Sequence, residues 1–97
     1  MTEERTEAAL ALVKAERRRQ SSRWGDQNGT GLYEWLGILG EEFGELCEAI
    51  NETCFENPSR PEKGGFENIL REAVHVAAVA VEIIEAMDGK LRNGSGC

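Results

Sequence analysis

Between Leu32 and Thr53 the apolar positions Trp35/Leu36, Leu39, Phe43, Leu46/Cys47 and Ile50 recur at steps of three and four. That is the period of an amphipathic helix, and Thr30 stands where an N-cap is expected. A helix is also predicted from about Thr2 to Trp24, where Ala, Leu, Glu, Lys and Arg dominate and all favour helix. Its stripe begins apolar at Ala9, Leu12 and Val13 and continues on nearly the same face as Glu16, Arg17 and Gln20. The third pattern, Ala73 to Val81, is apolar on every side except at His75. Its valines suggest a buried strand. Four alanines, the lack of bounding turn residues and the continuation into Glu82-Ile83-Ile84-Glu85 instead predict a helix from about Phe66 to Met87. Asp88-Gly89 is expected to end it. Turn formers fill 25–31 and, with Pro58, Pro61, Gly64 and Gly65, the stretch Asn57–Gly65.

A helix that is apolar all round must be buried all round. Two further helices cannot cover it, so the expected architecture is all-α: a short bundle of three main helices per chain, completed by homo-oligomerisation. The 97 residues show no internal repeat and read as one domain, 1–90, followed by a flexible tail, 91–97.

Composition narrows the class. With 40% hydrophobic and 30% charged residues, the chain is too apolar for disorder and too polar for a bilayer. No run approaches the roughly 20 apolar residues that span a membrane. A net charge of −7 argues against binding a nucleic-acid polymer, which relies on cations at phosphates, and against a basic membrane-surface helix. The acidic N-terminus does not read as a secretory signal. Cys47, Cys54 and Cys97 are odd in number and lack C-x-x-C spacing, so neither zinc cluster nor disulfide framework is expected, and a cytoplasmic location is. Cys47, on the apolar stripe, is expected in the core.

The charge is unevenly distributed. Residues 14–23 hold Lys14, Arg17, Arg18, Arg19 and Arg23 against Glu16 alone, giving +4 there and −11 elsewhere. Residues 34–56 hold Glu34, Glu41, Glu42, Glu45, Glu48, Glu52 and Glu56 with no Lys or Arg. Like charges at helical spacing repel by a few tenths of a kcal/mol per pair. Either that repulsion is tolerated or an external cation relieves it.

The spacing i,i+3 sets Glu42 beside Glu45 on one helix face and Glu72 beside His75 on another. Antiparallel packing of the two helices lets these pairs converge, and clustered oxygen ligands suit Mg²⁺ or Mn²⁺. Glu41 and Gly44 complete E-E-F-G-E; the glycine, costly in a helix by about 1 kcal/mol, marks either a close approach or ordinary packing. The blander alternatives are a solvated acidic face, a core histidine, and a basic helix end (Arg17–Arg19) set against the C-terminal dipole.

The ordered set E-R-R-R-Q (16–20), R-W-G-D-Q (23–27), W-L-G-I-L-G-E-E-F-G-E (35–45) and R-E-A-V-H-V-A-A-V-A-V (71–81) resembles the MazG-like all-α nucleoside triphosphate pyrophosphohydrolases across about residues 13–88. The resemblance implies a helical bundle completed as a dimer or dimer of dimers. It also implies Mg²⁺-dependent cleavage of a nucleoside triphosphate, commonly a deoxynucleotide, to monophosphate and pyrophosphate, with nucleotide-pool cleansing as a role. By position it implies metal-binding carboxylates at Glu42, Glu45 and Glu72. Glu41 becomes the candidate for a further metal or for water activation. His75 stands where that family's E-x-x-D motif has aspartate. The imidazole removes one negative charge and is a softer ligand, which water ligation tolerates, Mn²⁺ favours, or activity suffers. Lys14, Arg17 and Arg18 are expected at the phosphates, with Gln20 among the substrate contacts. Trp24 is expected to stack on the base and Gln27 to hydrogen-bond it.

Two other classes fit the same residues. A di-iron carboxylate bundle uses Glu from two helices and E-x-x-H from two others, which a homodimer supplies through Glu42 or Glu45 and Glu72-x-x-His75. A non-catalytic nucleotide-binding or assembly module is the other.

Overall fold

The computed structural model describes residues 2–24 and 30–93. They form three helices, α1 (Thr2–Trp24), α2 (Leu32–Cys54) and α3 (Phe66–Asn93), with a short 3-10 turn at Pro61–Lys63 before α3. No strand occurs among the described residues. α3 is central, and both α1 and α2 pack against it.

The α2–α3 return is fixed locally. Thr53 Oγ1 donates to the Ala49 carbonyl at 2.6 Å and accepts the Gly65 N–H at 2.7 Å. Glu52 accepts the Ser59 hydroxyl and the Arg60 N–H, each at 3.0 Å. Gly64 passes so close to the Glu52 carbonyl that a Cβ there would lie 2.9 Å from it. Gly65 has φ +101°, a conformation that favours glycine. The result is an antiparallel pair in which Glu42 and Glu45 of α2 lie opposite Glu72 and His75 of α3.

Two boundaries differ from expectation. α3 continues through Asp88-Gly89 to Asn93, so the ordered unit extends past residue 90. The Gly89 backbone stays helical, since Gly65 alone among the described glycines has positive φ, and Arg92 Nε donates to Asp88 at 2.8 Å across it. Positions 94–97 of the expected tail lie outside the described residues. Thr30 does not cap α2; the N-cap is Gly31, with no side-chain cap bond, and its carbonyl accepts the Trp35 N–H at 3.0 Å.

The packed side of α2 is not its most apolar side. Trp35 and Ala49 are buried, and Glu42 lies on the same helical face as they do. One edge of the apolar stripe is open to solvent: Leu36 is 65% exposed, Phe43 57% and Ile50 41%, with Tyr33 90% exposed nearby, while Leu39 and Leu46 are half-buried. Cys47, on this flank, is half-buried rather than in the core. Gly44 is exposed too, with nothing among the described residues within 4 Å of a Cβ built on it, so of its two readings no close approach is made by them. The core is correspondingly thin: Trp35, Ala49, Ala78, Val79 and Ala86 are its buried apolar members. The radius of gyration is 15.6 Å, against about 12.5 Å for a compact chain of this length.

Candidate metal centre

Three side chains from two helices converge on one point: Glu42 from α2, Glu72 and His75 from α3, each half-buried. His75 Nδ1 lies 3.6 Å from Glu42 Oε2 and 3.7 Å from Glu72 Oε2. These separations exceed a hydrogen bond. They fall within the span of roughly 3–4 Å between donor atoms that share one cation at about 2.0–2.6 Å. Both carboxylate oxygens are screened from solvent and accept no hydrogen bond. Unsatisfied buried acceptors are costly, and a hard cation satisfies two of them at once. The donor set therefore fits a divalent metal.

Electrostatics agree. Withdrawal from water raises the Glu42 carboxyl above its usual range, and repulsion by Glu45 adds to it. Glu45, at the exposed rim, is raised first by partial desolvation and then by its contact with the Glu72 carboxyl. In both, desolvation is the larger cause and the neighbouring carboxylates the smaller.

α1 supplies the other wall. Glu16 Oε2 lies 3.8 Å from His75 Nε2. Glu16 accepts Arg19 Nε at 2.9 Å and Nη2 at 2.7 Å, a bidentate pair, and Gln20 Nε2 at 3.2 Å. The Arg19 bond is the main reason the Glu16 carboxyl is held below its usual range. A cleft of about 420 Å³ opens onto the cluster, lined by Glu16, Arg19, Gln20, Glu42, Glu45 and His75 among others. A second, mainly apolar hollow of about 370 Å³ shares Glu16, Arg19 and His75 with it and runs between α1 and α3 along Leu12, Leu70 and Val74.

The expected site residues divide accordingly. Glu42, Glu72 and His75 meet, Glu45 joins through Glu72, and Gln20 is buried in the cleft wall. Glu41 is exposed and does not line the cleft. Lys14 and Arg18 are exposed on α1 and do not line it either. Arg17 is engaged elsewhere, bonding Glu85 at 2.6 Å and pairing with Glu82 at 3.6 Å. The Trp24 side chain and Gln27 lie outside the described residues. Sequence reasoning missed Glu16 and Arg19 as members of the site. Their signal was present: Glu16, Arg19 and Gln20 stand at i, i+3 and i+4, so they neighbour one another on a helix.

Neither the family models, the curated proteins nor the solved structures compared with this chain match it. Among the described residues no helix is long and apolar enough to cross a membrane.

Proposed function

We propose that the protein is a MazG-like, Mg²⁺-dependent nucleoside triphosphate pyrophosphohydrolase that converts a (deoxy)nucleoside triphosphate and water to the monophosphate and pyrophosphate. Mn²⁺ is an alternative metal. One observation carries the reading: α2 turns Glu42 inward beside Glu72 and His75, with two screened and unsatisfied carboxylate oxygens, while Leu36 and Phe43 are exposed. A solvated acidic face has the opposite arrangement.

Glu42, Glu45 and Glu72 would hold the metal, with His75 as a further donor. Bound there, it would supply positive charge for the triphosphate oxygens and acidify a coordinated water. Glu41, on the open side, would orient the attacking water and take its proton. The bond to the pyrophosphate leaving group breaks as the new bond to phosphorus forms. Arg19 lines the cleft and is the guanidinium we assign to the phosphates in place of Arg17, which pairs with Glu82 and Glu85, alongside Lys14 and Arg18. Trp24 and Gln27 retain the base-contacting roles that the resemblance implies.

The same reading takes the active form as a homodimer or dimer of dimers in the cytoplasm. What supports self-association is the outward apolar flank of α2 and the thin core. The experiment is a pyrophosphate-release screen over common and modified nucleoside triphosphates with Mg²⁺ and with Mn²⁺. Release from at least one, lost in Glu42→Gln and in Glu72→Gln, supports the proposal; none from any substrate with either metal sinks it.

The convergence of Glu72-x-x-His75 with Glu42 favours a di-iron carboxylate protein as second reading. Metal analysis of protein purified without added iron decides: iron with an oxo-bridge absorption band replaces the Mg²⁺ assignment.

A further inference from the structure

We infer that Lys63 and Arg71 hold the terminal phosphates of the substrate, and so receive the departing pyrophosphate, in a hollow beside the acidic cluster. The inference rests on the metal and pyrophosphohydrolase readings above and deepens them. The hollow, of about 300 Å³, is lined by Glu45, Glu72, Lys63 and Arg71, with Glu48 and Glu62. Glu45 also lines the cleft on the α1 side, so the two spaces flank the same carboxylates. From His75 through Glu72 to Asn68 on α3, and from Glu42 through Glu45 to Glu48 on α2, each helix steps toward the Gly64–Gly65 corner. The hollow is the neighbour of the cluster on that side.

Its cations differ from those on α1. Arg19 gives Nε and Nη2 to Glu16, and Arg17 pairs with Glu82 and Glu85. Among the described residues, neither the Lys63 ammonium nor the Arg71 guanidinium makes a hydrogen bond or a close ion pair. Both side chains are exposed, yet the Lys63 backbone is pinned. Its N–H donates to the Arg60 carbonyl at 2.8 Å, and Asn68 Nδ2 donates to the Glu62 and Gly64 carbonyls on either side, at 3.3 and 3.1 Å. The Lys63 charge reaches Glu45, where it opposes the rise of that carboxyl. An ammonium and a guanidinium with no partner of their own are suited to phosphate oxygens.

Charge balance sets the order of binding. Four carboxylates face two cations in the hollow, which repels an anion while no divalent ion is bound. Glu48 is paired with Arg60 at 3.4 Å. With Glu45 and Glu72 neutralised by a metal, Glu62 alone opposes Lys63 and Arg71, and the balance turns cationic. The cleft on the other side has Trp35, Ile38 and Val79 in its walls, which suits a nucleoside. The triphosphate thus lies with its nucleoside toward α1 and its terminal phosphates toward the corner. The water oxygen bonds to the α-phosphorus and its proton goes to Glu41. The bond from that phosphorus to the bridging oxygen breaks, and the electron pair stays on the pyrophosphate. Lys63 and Arg71 meet the charge that gathers there.

Calorimetric titration of the full chain with inorganic pyrophosphate, given as its Mn²⁺ complex to Mn²⁺-saturated protein, tests this without turnover. Wild type is expected to bind it, and to lose that binding when pyrophosphate is added without metal. Lys63→Ala and Arg71→Ala are each expected to weaken binding by about 10-fold or more, and Lys63→Arg and Arg71→Lys by less. Mn²⁺ affinity in the absence of pyrophosphate, followed by electron paramagnetic resonance, is not expected to fall in either alanine variant, since a nearby positive charge is removed.

Unchanged pyrophosphate affinity in either alanine variant overturns the inference and leaves the metal site standing. So does equal binding with and without metal, or Mn²⁺ binding by wild type with no pyrophosphate binding. A parallel loss of Mn²⁺ affinity in the alanine variants overturns it as well, because the two side chains would then support the cluster itself. No Mn²⁺ binding by wild type removes the metal reading and this inference together. The titration involves no hydrolysis, so absence of turnover in the substrate screen bears on the enzyme reading alone.

Discussion

Arg17 on α1 donates to Glu85 on α3 at 2.6 Å, and its other terminal nitrogen lies 3.6 Å from Glu82. The guanidinium therefore joins the two helices instead of facing the cleft. Burial raises the Glu82 carboxyl above its usual range, and Arg17 opposes that rise. Arg17→Met leaves Glu82 half-buried without its cation. The expected loss is on the order of 1–3 kcal/mol, seen as a lower denaturation midpoint. Nucleotide with Mg²⁺ is not expected to abolish the deficit. An unchanged midpoint with a raised KM would return Arg17 to the phosphates.

Glu42→Gln and Glu72→Gln should each reduce pyrophosphate release by about 100-fold or more. Neither should destabilise the metal-free chain. A gain of a few tenths of a kcal/mol per relieved like-charge contact is expected. Turnover assays paired with thermal melts check both halves, and retained turnover in both variants would rule out the site.

The metal-free fold should weaken as pH rises from about 4 toward neutrality. Glu42 and Glu45 sit above the usual carboxyl value of 4.5 in the folded chain. Below 4.5 both states are protonated and the groups contribute nothing. As pH passes 4.5 the unfolded chain ionises first, so the fold loses stability until the folded carboxyls ionise too. Glu16, lowered, acts oppositely: its contribution is present above 4.5 and is lost as pH falls through its folded value. Melting temperatures of wild type and of a Glu42→Gln/Glu45→Gln double variant separate the two, because the decline above 4.5 should shrink in the variant to the part that Glu82, also raised by burial, contributes. Saturating Mn²⁺ should reverse the decline, since metal competes with protons for the same oxygens.

On the proposed homo-oligomeric reading, Phe43→Glu should yield a monomer without unfolding the chain, since the side chain is 57% exposed. Sedimentation equilibrium measures this directly. A monomeric wild type at micromolar concentration would refute self-association through that flank.

His75→Asp should retain or raise Mg²⁺-dependent activity and shift preference from Mn²⁺ toward Mg²⁺, because a hard oxygen replaces a softer nitrogen. Activity ratios with the two metals are the measurement. Loss of the oligomer in this variant instead would make His75 a packing residue.

Periodicity alone placed all three helices and the i,i+3 pairs Glu42/Glu45 and Glu72/His75. It could not say which side of α2 meets α3. Trp35, Leu36, Leu39 and Phe43 define an apolar stripe, and a lone helix offers no reason to turn the edge of that stripe inward rather than its centre. The residues buried on the packed sides include Ala49, Ala78 and Val79, small ones with little weight in any hydropathy pattern. Glu16 was hidden for a related reason. Its partner His75 lies 59 positions away in sequence, and a carboxylate within a basic run reads as local charge balance. Nothing local separates a guanidinium awaiting phosphate from one, such as Arg17, that finds two carboxylates across the bundle.

The glycine step before α3 has a further consequence. Gly64 rests against the Glu52 backbone with no room for a side chain, and Thr53 ties the end of α2 to Gly65. This corner would act as a vernier between α2 and α3: a change in its thickness is expected to slide Glu72 and His75 relative to Glu42. A single methyl group there would retune the bite of the cluster from about two helical turns away, with every ligand unchanged. On the proposed metal reading, the choice between a smaller and a larger ion would be written partly in a bend that touches none of the ligands.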